Sequence, residues 1–96
     1  MFLLLLSYKQ PLSEVDRHVP AHMEFVARHY ASGEFLLSGR KQPRTGGVIL
    51  AKTADRARAE AIVREDPFVR EGVADYEVVE FVASGSAPAL DLLREV

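Results

Sequence analysis

The sequence of 96 residues contains no cysteine, and its charges nearly cancel, giving a formal net charge of -2 at pH 7. The lack of cysteine excludes disulfide bonds and thiol nucleophiles. It also fits a reducing compartment, so we expect a cytoplasmic protein. The small net charge gives no electrostatic basis for binding nucleic acid or an acidic membrane surface. We therefore expect neither nucleic acid nor a membrane among the partners of this chain.

Long hydrophobic runs are also missing. The apolar run Met1–Leu6 is far shorter than the ~20 residues that a membrane span needs. It follows no basic segment and ends at Ser7, so a signal peptide is not expected. With 48% hydrophobic and 27% charged residues, the composition is that of an ordinary globular domain.

Several catalytic and phosphate-binding motifs are absent. The chain has no Gly-x-Ser-x-Gly nucleophile motif. It also has no Gly-rich phosphate loop of the P-loop or dinucleotide-binding type. The Gly46–Gly47 pair is therefore interpreted as a turn that enters a strand. We expect no bound cofactor.

Hydrophobic patterning predicts an order of β-α-β-β-α-β, which is typical of the ferredoxin-like α+β plait with an antiparallel sheet. The first helix is predicted to start with Ser13 as N-cap and to end at Gly33. Pro20 either kinks this helix or opens its main part. Thr53 or Asp55 is expected to cap the second helix, which ends near Glu65. The predicted strands are Phe2–Tyr8, Phe35–Leu37, Val48–Ala51 and Tyr76–Val82.

The predicted sheet has one face that its own helices cannot cover. In this plait the first and third strands are central, and both are apolar throughout. An apolar sheet face of that size is too large for a soluble monomer. We therefore expect a second copy to pack on it, sheet to sheet, by two-fold symmetry. The domain is taken as residues 1–83. Residues 84–96 form a linker and a short helix from Pro88, whose leucines are expected to pack across the dimer.

Two stripes run along the predicted first helix at helical spacing. His22 is expected to be the most inward of the three histidines. In the second helix, small residues and one isoleucine are expected to face inward. The first helix carries an apolar stripe of Val15, Val19, Met23, Val26 and Tyr30 and a second stripe of His18, His22, Phe25 and His29; the inward residues of the second helix are Ala54, Ala57, Ala61 and Ile62.

Asp66 precedes a proline at the end of the second helix. A carboxylate at this negative helix end is disfavoured by the macrodipole unless it has a partner. His22 is the best partner in the chain. The alternative interpretation is structural, with Asp66 capping a turn and Phe68 filling the core.

Several stretches together resemble the YciI-like (YCII-related) family. The most specific part is a histidine in the first helix paired with Asp-Pro-Phe after the second. The resemblance implies a ferredoxin-like protein that dimerises into an α+β barrel, the assembly also seen in muconolactone isomerases. It also implies a His22–Asp66 pair at a pocket. Many members have a proline where this chain has Arg40. The stretches that carry the resemblance are Glu14–Asp16, Pro20–His22, Gly33–Gly39, Pro43–Leu50 and Glu65–Phe68.

The predicted pocket favours acid/base chemistry on a small organic acid, of isomerase or lyase type. His22 would be the general acid or base, and Asp66 would orient its ring. The ligand-binding residues are predicted to be Ser38, Gly39, Arg40, Arg44 and Phe68. The arginines belong to a predicted loop, residues 38–47, and a merely solvated loop is the alternative for them. The alternative function is a non-catalytic dimeric module that binds a small ligand or another protein.

A metal site is not expected, although His18 and His22 have the i, i+4 spacing of paired ligands. Pro20 lies between them, and the glutamate of a His-Glu-x-x-His motif is missing. Histidines that border an apolar helix face are usually only half-buried there.

Overall fold

The computed structural model describes all residues, Met1–Val96. The main elements alternate as the sequence predicted, with one extra short helix before the last strand and a 3₁₀ helix, Pro88–Leu93, after it. In chain order the other elements are β1 (Phe2–Tyr8), α1 (Leu12–Arg17), α2 (Val19–Ser32), β2 (Phe35–Arg40), β3 (Gly46–Ala51), α3 (Arg56–Glu65), α4 (Pro67–Arg70) and β4 (Ala74–Glu80).

The four strands form one antiparallel sheet in the order β2-β3-β1-β4. This is the strand order of the ferredoxin-like plait, so the predicted α+β fold class and the central positions of β1 and β3 are confirmed. Inner residues of the sheet, such as Leu4 and Ile49, are buried with Phe25 and Ile62 in one hydrophobic core. None of the helices has the length and apolar content needed to cross a membrane.

The first predicted helix is divided at His18 into α1 and α2. Pro20 lies in the first turn of α2, where a missing N–H group costs no hydrogen bond. The N-cap of α1 is Pro11 and not Ser13, because the helix starts earlier than predicted. Gly33, with φ 85°, ends α2 in the left-handed conformation predicted for it.

The face that α2 turns to the core differs from the predicted stripe. Val26 is buried as predicted, but Met23 and Tyr30 are exposed, and Phe25 and His29 of the second stripe are buried. His29, 6% exposed, is the most buried histidine, so the prediction that His22 lies deepest is wrong. The physical reason is a cavity beneath the N-terminal half of α2, which leaves His22 and Met23 beside empty space instead of packed side chains.

The inner face of α3 consists of Ala59, Ile62 and Val63, which are buried. Ala54 precedes the helix, and Ala57 is exposed. The predicted face is therefore confirmed at Ile62 and wrong at Ala54 and Ala57, while Ala61 is half-buried. Alanines are too small to determine which side of a helix is buried, and the two β-branched residues set the face instead.

Half of the predicted loop at residues 38–47 is strand, and residues 41–45 remain a loop. Ser38, Gly39 and Arg40 complete β2, and the two glycines open β3, so they are not a turn. A side chain at Gly46 would collide with the carbonyl of Leu6 on the neighbouring strand. Glycine therefore allows the two strands to approach closely at this point. Strand β4 begins and ends two residues before its predicted limits.

The sheet face away from the helices, which we call the open face, is apolar on β1 and β3, whereas β4 contributes Glu77 opposite Leu5. Its side chains alternate with those of the core. Leu3 pairs across the sheet with Leu50 and Val79, and Leu5 pairs with Val48. These side chains are only half-buried, and Leu37, on the same face, is 67% exposed.

The C-terminal segment folds back beside the first strand. The Glu95 carboxylate binds the N-terminal amine of Met1 and accepts the N–H of Ala83. Leu90 and Leu92 of this C-terminal segment are exposed.

Candidate active site

His22 and Asp66 are in contact. Nδ1 of His22 lies 2.9 Å from each carboxylate oxygen of Asp66. His22 comes from the first turns of α2, and Asp66 lies at the junction of α3 and α4. The fold therefore brings together two residues that are 44 positions apart in the sequence. Their chemical role remains a prediction.

Asp66 is held by three donors and is completely buried. Besides His22, it accepts the backbone N–H of Phe68 at 2.9 Å and the hydroxyl of Tyr76 at 2.5 Å. The bond to Phe68 caps the N-terminus of α4, and the Phe68 ring is buried. The structural interpretation of Asp66 and its pairing with His22 are therefore compatible, because the carboxylate has enough lone pairs for both.

Tyr76 is the member of this group that sequence reasoning missed. It lies on β4 and packs against two hydrophobic clusters, one that contains Phe25 and Ile62 and one that contains Val15 and Phe68. Burial and the neighbouring Asp66 carboxylate raise the pKa of the Tyr76 phenol above its ordinary value. The phenol is therefore a donor over the ordinary pH range. The available signal was that a tyrosine on the inner side of a strand needs a partner for its hydroxyl.

The second ring nitrogen of His22 is free. Every buried side-chain nitrogen and oxygen in the chain has a hydrogen-bond partner. Nε2 of His22 has none, so it is reachable from solvent. An ionised carboxylate can only accept, so Nδ1 carries the proton and Nε2 keeps its lone pair in the neutral ring. The ring itself stacks on Phe68, with centroids 4.1 Å apart and planes 10° apart.

A cavity of about 470 Å³ lies against His22. Helix α2 forms one wall through Val19, Met23 and Val26, and the sheet forms another. The cavity is mostly apolar, with a few polar groups converging on it, as is usual for small-molecule sites. All seven predicted site residues except Asp66 line it, namely His22, Ser38, Gly39, Arg40, Arg44 and Phe68.

The two arginines of the cavity differ in their engagement. Arg44 forms an ion pair with Asp16 at 2.5 Å, and its guanidinium lies 5.9 Å from the centre of the Tyr8 ring. The Asp16 hydrogen bond raises the pKa of Arg44. Arg40 has no hydrogen-bond or ion-pair partner in the chain and is exposed. It is the cation that remains available for an anionic ligand.

Ser38 lies on β2, an edge strand, and its hydroxyl shares a short hydrogen bond with the Tyr30 hydroxyl. Nowhere in the chain do three His, Cys, Asp or Glu side chains lie close enough to hold a metal ion together. His18, at the junction of α1 and α2, is not part of the cavity wall.

The family model of the YCII-related domain matches residues 1–82. The chain belongs to the YCII-related family. This confirms the resemblance drawn from the sequence. No curated protein sequence matches the chain significantly.

A solved structure similar to this YCII-related chain is described as 5-chloro-2-hydroxyhydroquinone dehydrochlorinase (TftG) from Burkholderia phenoliruptrix AC1100, in complex with 2,5-dihydroxybenzoquinone. The TM-score is 0.70, and the similarity covers 84% of this chain and 93% of that one. At 17% sequence identity, the likeness shows a shared fold.

Proposed function

We propose that this YCII-related chain is an enzyme that uses His22 as a general acid/base on a small organic acid, in an isomerisation or an elimination. The observation that carries the proposal is the free Nε2 of His22 beside a cavity, with Nδ1 held by a buried carboxylate. The structural relative, which is named as a dehydrochlorinase, supports the lyase type.

The proposed step starts with removal of a proton from a carbon of the substrate by Nε2. The resulting imidazolium is stabilised by the Asp66 carboxylate at 2.9 Å. In an isomerisation the same nitrogen returns the proton to another carbon. In an elimination a leaving group departs with its bonding electrons, and the imidazolium later loses its proton to water. A positioned base of this kind typically contributes about 10²–10⁴-fold to a rate.

Arg40 supplies the proposed anion site. Its guanidinium is the unpaired cation of the cavity, whereas Arg44 is already paired with Asp16. A carboxylate or enolate oxygen near Arg40 would gain a charge-assisted hydrogen bond. The apolar walls on α2 and the sheet would take the hydrocarbon part of the ligand.

The proposed partner of the chain is a second copy on the open face. Leu3, Leu5, Val48 and Leu50 form a continuous apolar strip there through cross-strand pairing. Burying this strip by two-fold symmetry would remove it from water. Light scattering at micromolar concentration should give twice the monomer mass, and a monomer would contradict the proposal.

A solvent-exchange assay tests the enzymatic role. The protein is incubated in D₂O with 2-oxobutanoate, but-3-enoate or 2,5-dihydroxybenzoquinone, and proton NMR follows loss of C–H signals and double-bond shifts. We expect at least one probe to react and His22→Gln to slow it by about 10²–10⁴-fold. His18→Gln is the matched control, since His18 lies outside the cavity wall, and it should retain the rate.

The assay also separates the alternative function. If a probe shifts backbone resonances of the cavity residues but none exchanges or rearranges, the chain is a binding module and the enzymatic proposal fails. Equal rates for the wild type and His22→Gln would remove His22 from the mechanism.

A further inference from the structure

Tyr76 contacts the candidate site from outside its cavity. It is not part of the cavity wall, yet its hydroxyl donates to Oδ2 of Asp66 at 2.5 Å. A residue so placed cannot touch a substrate. Its influence on the reacting groups has to pass through Asp66.

The two oxygens of Asp66 are restrained separately. Oδ1 accepts the N–H of Phe68, and Oδ2 accepts the hydroxyl of Tyr76. Nδ1 of His22 is equidistant from both oxygens, at 2.9 Å. Phe68 and Tyr76 therefore fix the rotation of the carboxylate so that both of its oxygens face Nδ1 of His22.

Tyr76 also connects the site to the sheet. It belongs to β4, which pairs with β1 along its whole length, whereas His22 and Asp66 belong to helices. Because β4 is held by its pairing with β1, the phenol gives Asp66 an anchor on the sheet that is separate from the helix junction. The other anchor, the N–H of Phe68, is only two residues away from Asp66 and moves with it.

We propose that Tyr76 is a positioning residue of the His22–Asp66 pair, which holds Oδ2 so that the carboxylate keeps the proton of His22 on Nδ1 and leaves the lone pair on Nε2. The inference rests on the proposed function for its catalytic meaning. The raised pKa of Tyr76 supports it, because the phenol must stay protonated in order to donate.

The imidazole nitrogen resonances give a direct test that needs no substrate. In the wild type, ¹⁵N NMR spectra taken at a pH where the imidazole is neutral should show His22 with a protonated Nδ1 and an unprotonated Nε2. Tyr76→Phe should move the two resonances towards each other, as the tautomers mix. Tyr30→Phe is the matched control: it removes a phenol hydroxyl that bonds Ser38 and not Asp66, and it should leave the His22 resonances in place.

A double-mutant comparison excludes a merely structural role. If Tyr76 acts through Asp66, adding Tyr76→Phe to Asp66→Asn should cause no further change at His22, even though it lowers stability. An additional change of the same size as in the single variant would overturn the proposal. So would unchanged resonances in Tyr76→Phe.

If Tyr76→Phe does not fold, the wild-type spectrum still tests the proposal. A proton found on Nε2 of His22 would contradict the proposed positioning. The outcome is independent of the exchange assay. A tautomer lost in Tyr76→Phe, together with no turnover of any probe, would support the positioning role while refuting catalysis. Turnover with no tautomer change would do the reverse.

Discussion

His22 and His29 lie on the same helix and both meet carboxylates, but their surroundings differ. His22 has one nitrogen on Asp66 and the other free at a cavity. His29 has Nε2 at 3.3 Å from Glu65 and Nδ1 at 3.9 Å from Glu34, and its ring packs edge-on against Phe25. Both nitrogens of His29 therefore face carboxylates, and His29 is not part of the wall of the cavity beside His22. A carboxylate beside a histidine therefore indicates acid/base chemistry only when the second ring nitrogen is free.

The two carboxylate partners also differ in burial. Asp66 is completely buried and satisfies three donors. The Glu65 side chain is 44% exposed and lies near Arg58 as well as His29. An exposed ion pair is worth about 0–1 kcal/mol, whereas a buried donor left without its acceptor costs about 1–3 kcal/mol. Glu65 therefore contacts His29 from the protein surface, whereas Asp66 contacts His22 from the interior.

Replacing each partner by alanine should show this difference most strongly. Asp66→Ala removes the acceptor of three donors, so we expect urea unfolding to show a loss of about 3 kcal/mol or more. Glu65→Ala should cost less than about 1 kcal/mol. Similar losses in the two variants would mean that the two histidine sites are held equally, and the contrast between a buried and a surface carboxylate would fail.

The two arginines of the cavity show the same contrast, since Arg40 has no partner and Arg44 is paired with Asp16. For a probe acid that binds, Arg40→Ala should weaken affinity by about 1.5–3 kcal/mol, the value of a charge-assisted hydrogen bond. Arg44→Ala should have the smaller effect, since its guanidinium already serves Asp16. Isothermal titration calorimetry measures both. A larger loss in Arg44→Ala would reverse the assignment of the anion site.

The two histidine sites should also lose their contributions to stability at opposite ends of the pH range. The pKa of Tyr76 is raised in the folded chain, so its contribution to stability is full below the unfolded value of ~10. It then falls by up to about 1.4 kcal/mol per pH unit as the pH rises further. Subtracting the curve of Tyr76→Phe from that of the wild type isolates this slope. A flat difference above pH 10 would show that the phenol is not held as described.

At the His29 site the corresponding loss of stability occurs at acidic pH. A hydrogen bond from Arg58 lowers the pKa of Glu34. The contribution of Glu34 is therefore present above its unfolded value of ~4.3 and is lost as pH falls through the folded value. Glu34→Gln should remove only a small part of the stability difference between pH 6 and pH 3, since the side chain is partly solvated. An unchanged acid profile would contradict the role of this pair.

The order of elements and the contact between His22 and Asp66 could be anticipated from the sequence. Hydrophobic periodicity located the strands, and Pro67 marked the end of α3, which placed Asp66 at a helix boundary. The same periodicity could not rank the histidines. That ranking depends on what lies opposite each one, and the cavity beneath α2 is a property of the assembled chain.

The polar end of β2 shows a second limit of sequence patterning. Ser38 and Arg40 were assigned to a loop because their side chains break the apolar run. They lie in an edge strand, where polar side chains are tolerated because one side of the strand is open to solvent. Tyr76 was missed for a related reason, since its partner is 10 residues away in sequence and is reached only when β4 packs beneath the α3–α4 junction.

Chemical labelling of the histidines tests the central claim most directly, because it asks which ring nitrogens are available. Diethyl pyrocarbonate acylates accessible unprotonated imidazole nitrogens, and mass spectrometry of the peptides resolves His22 from His29. We predict that His22 is modified in the folded protein, that His29 is protected, and that a bound probe acid protects His22 as well. Modification of His29 as fast as His22, or a His22 that is inert until the protein unfolds, would contradict the claim that His22, and not His29, presents a free nitrogen.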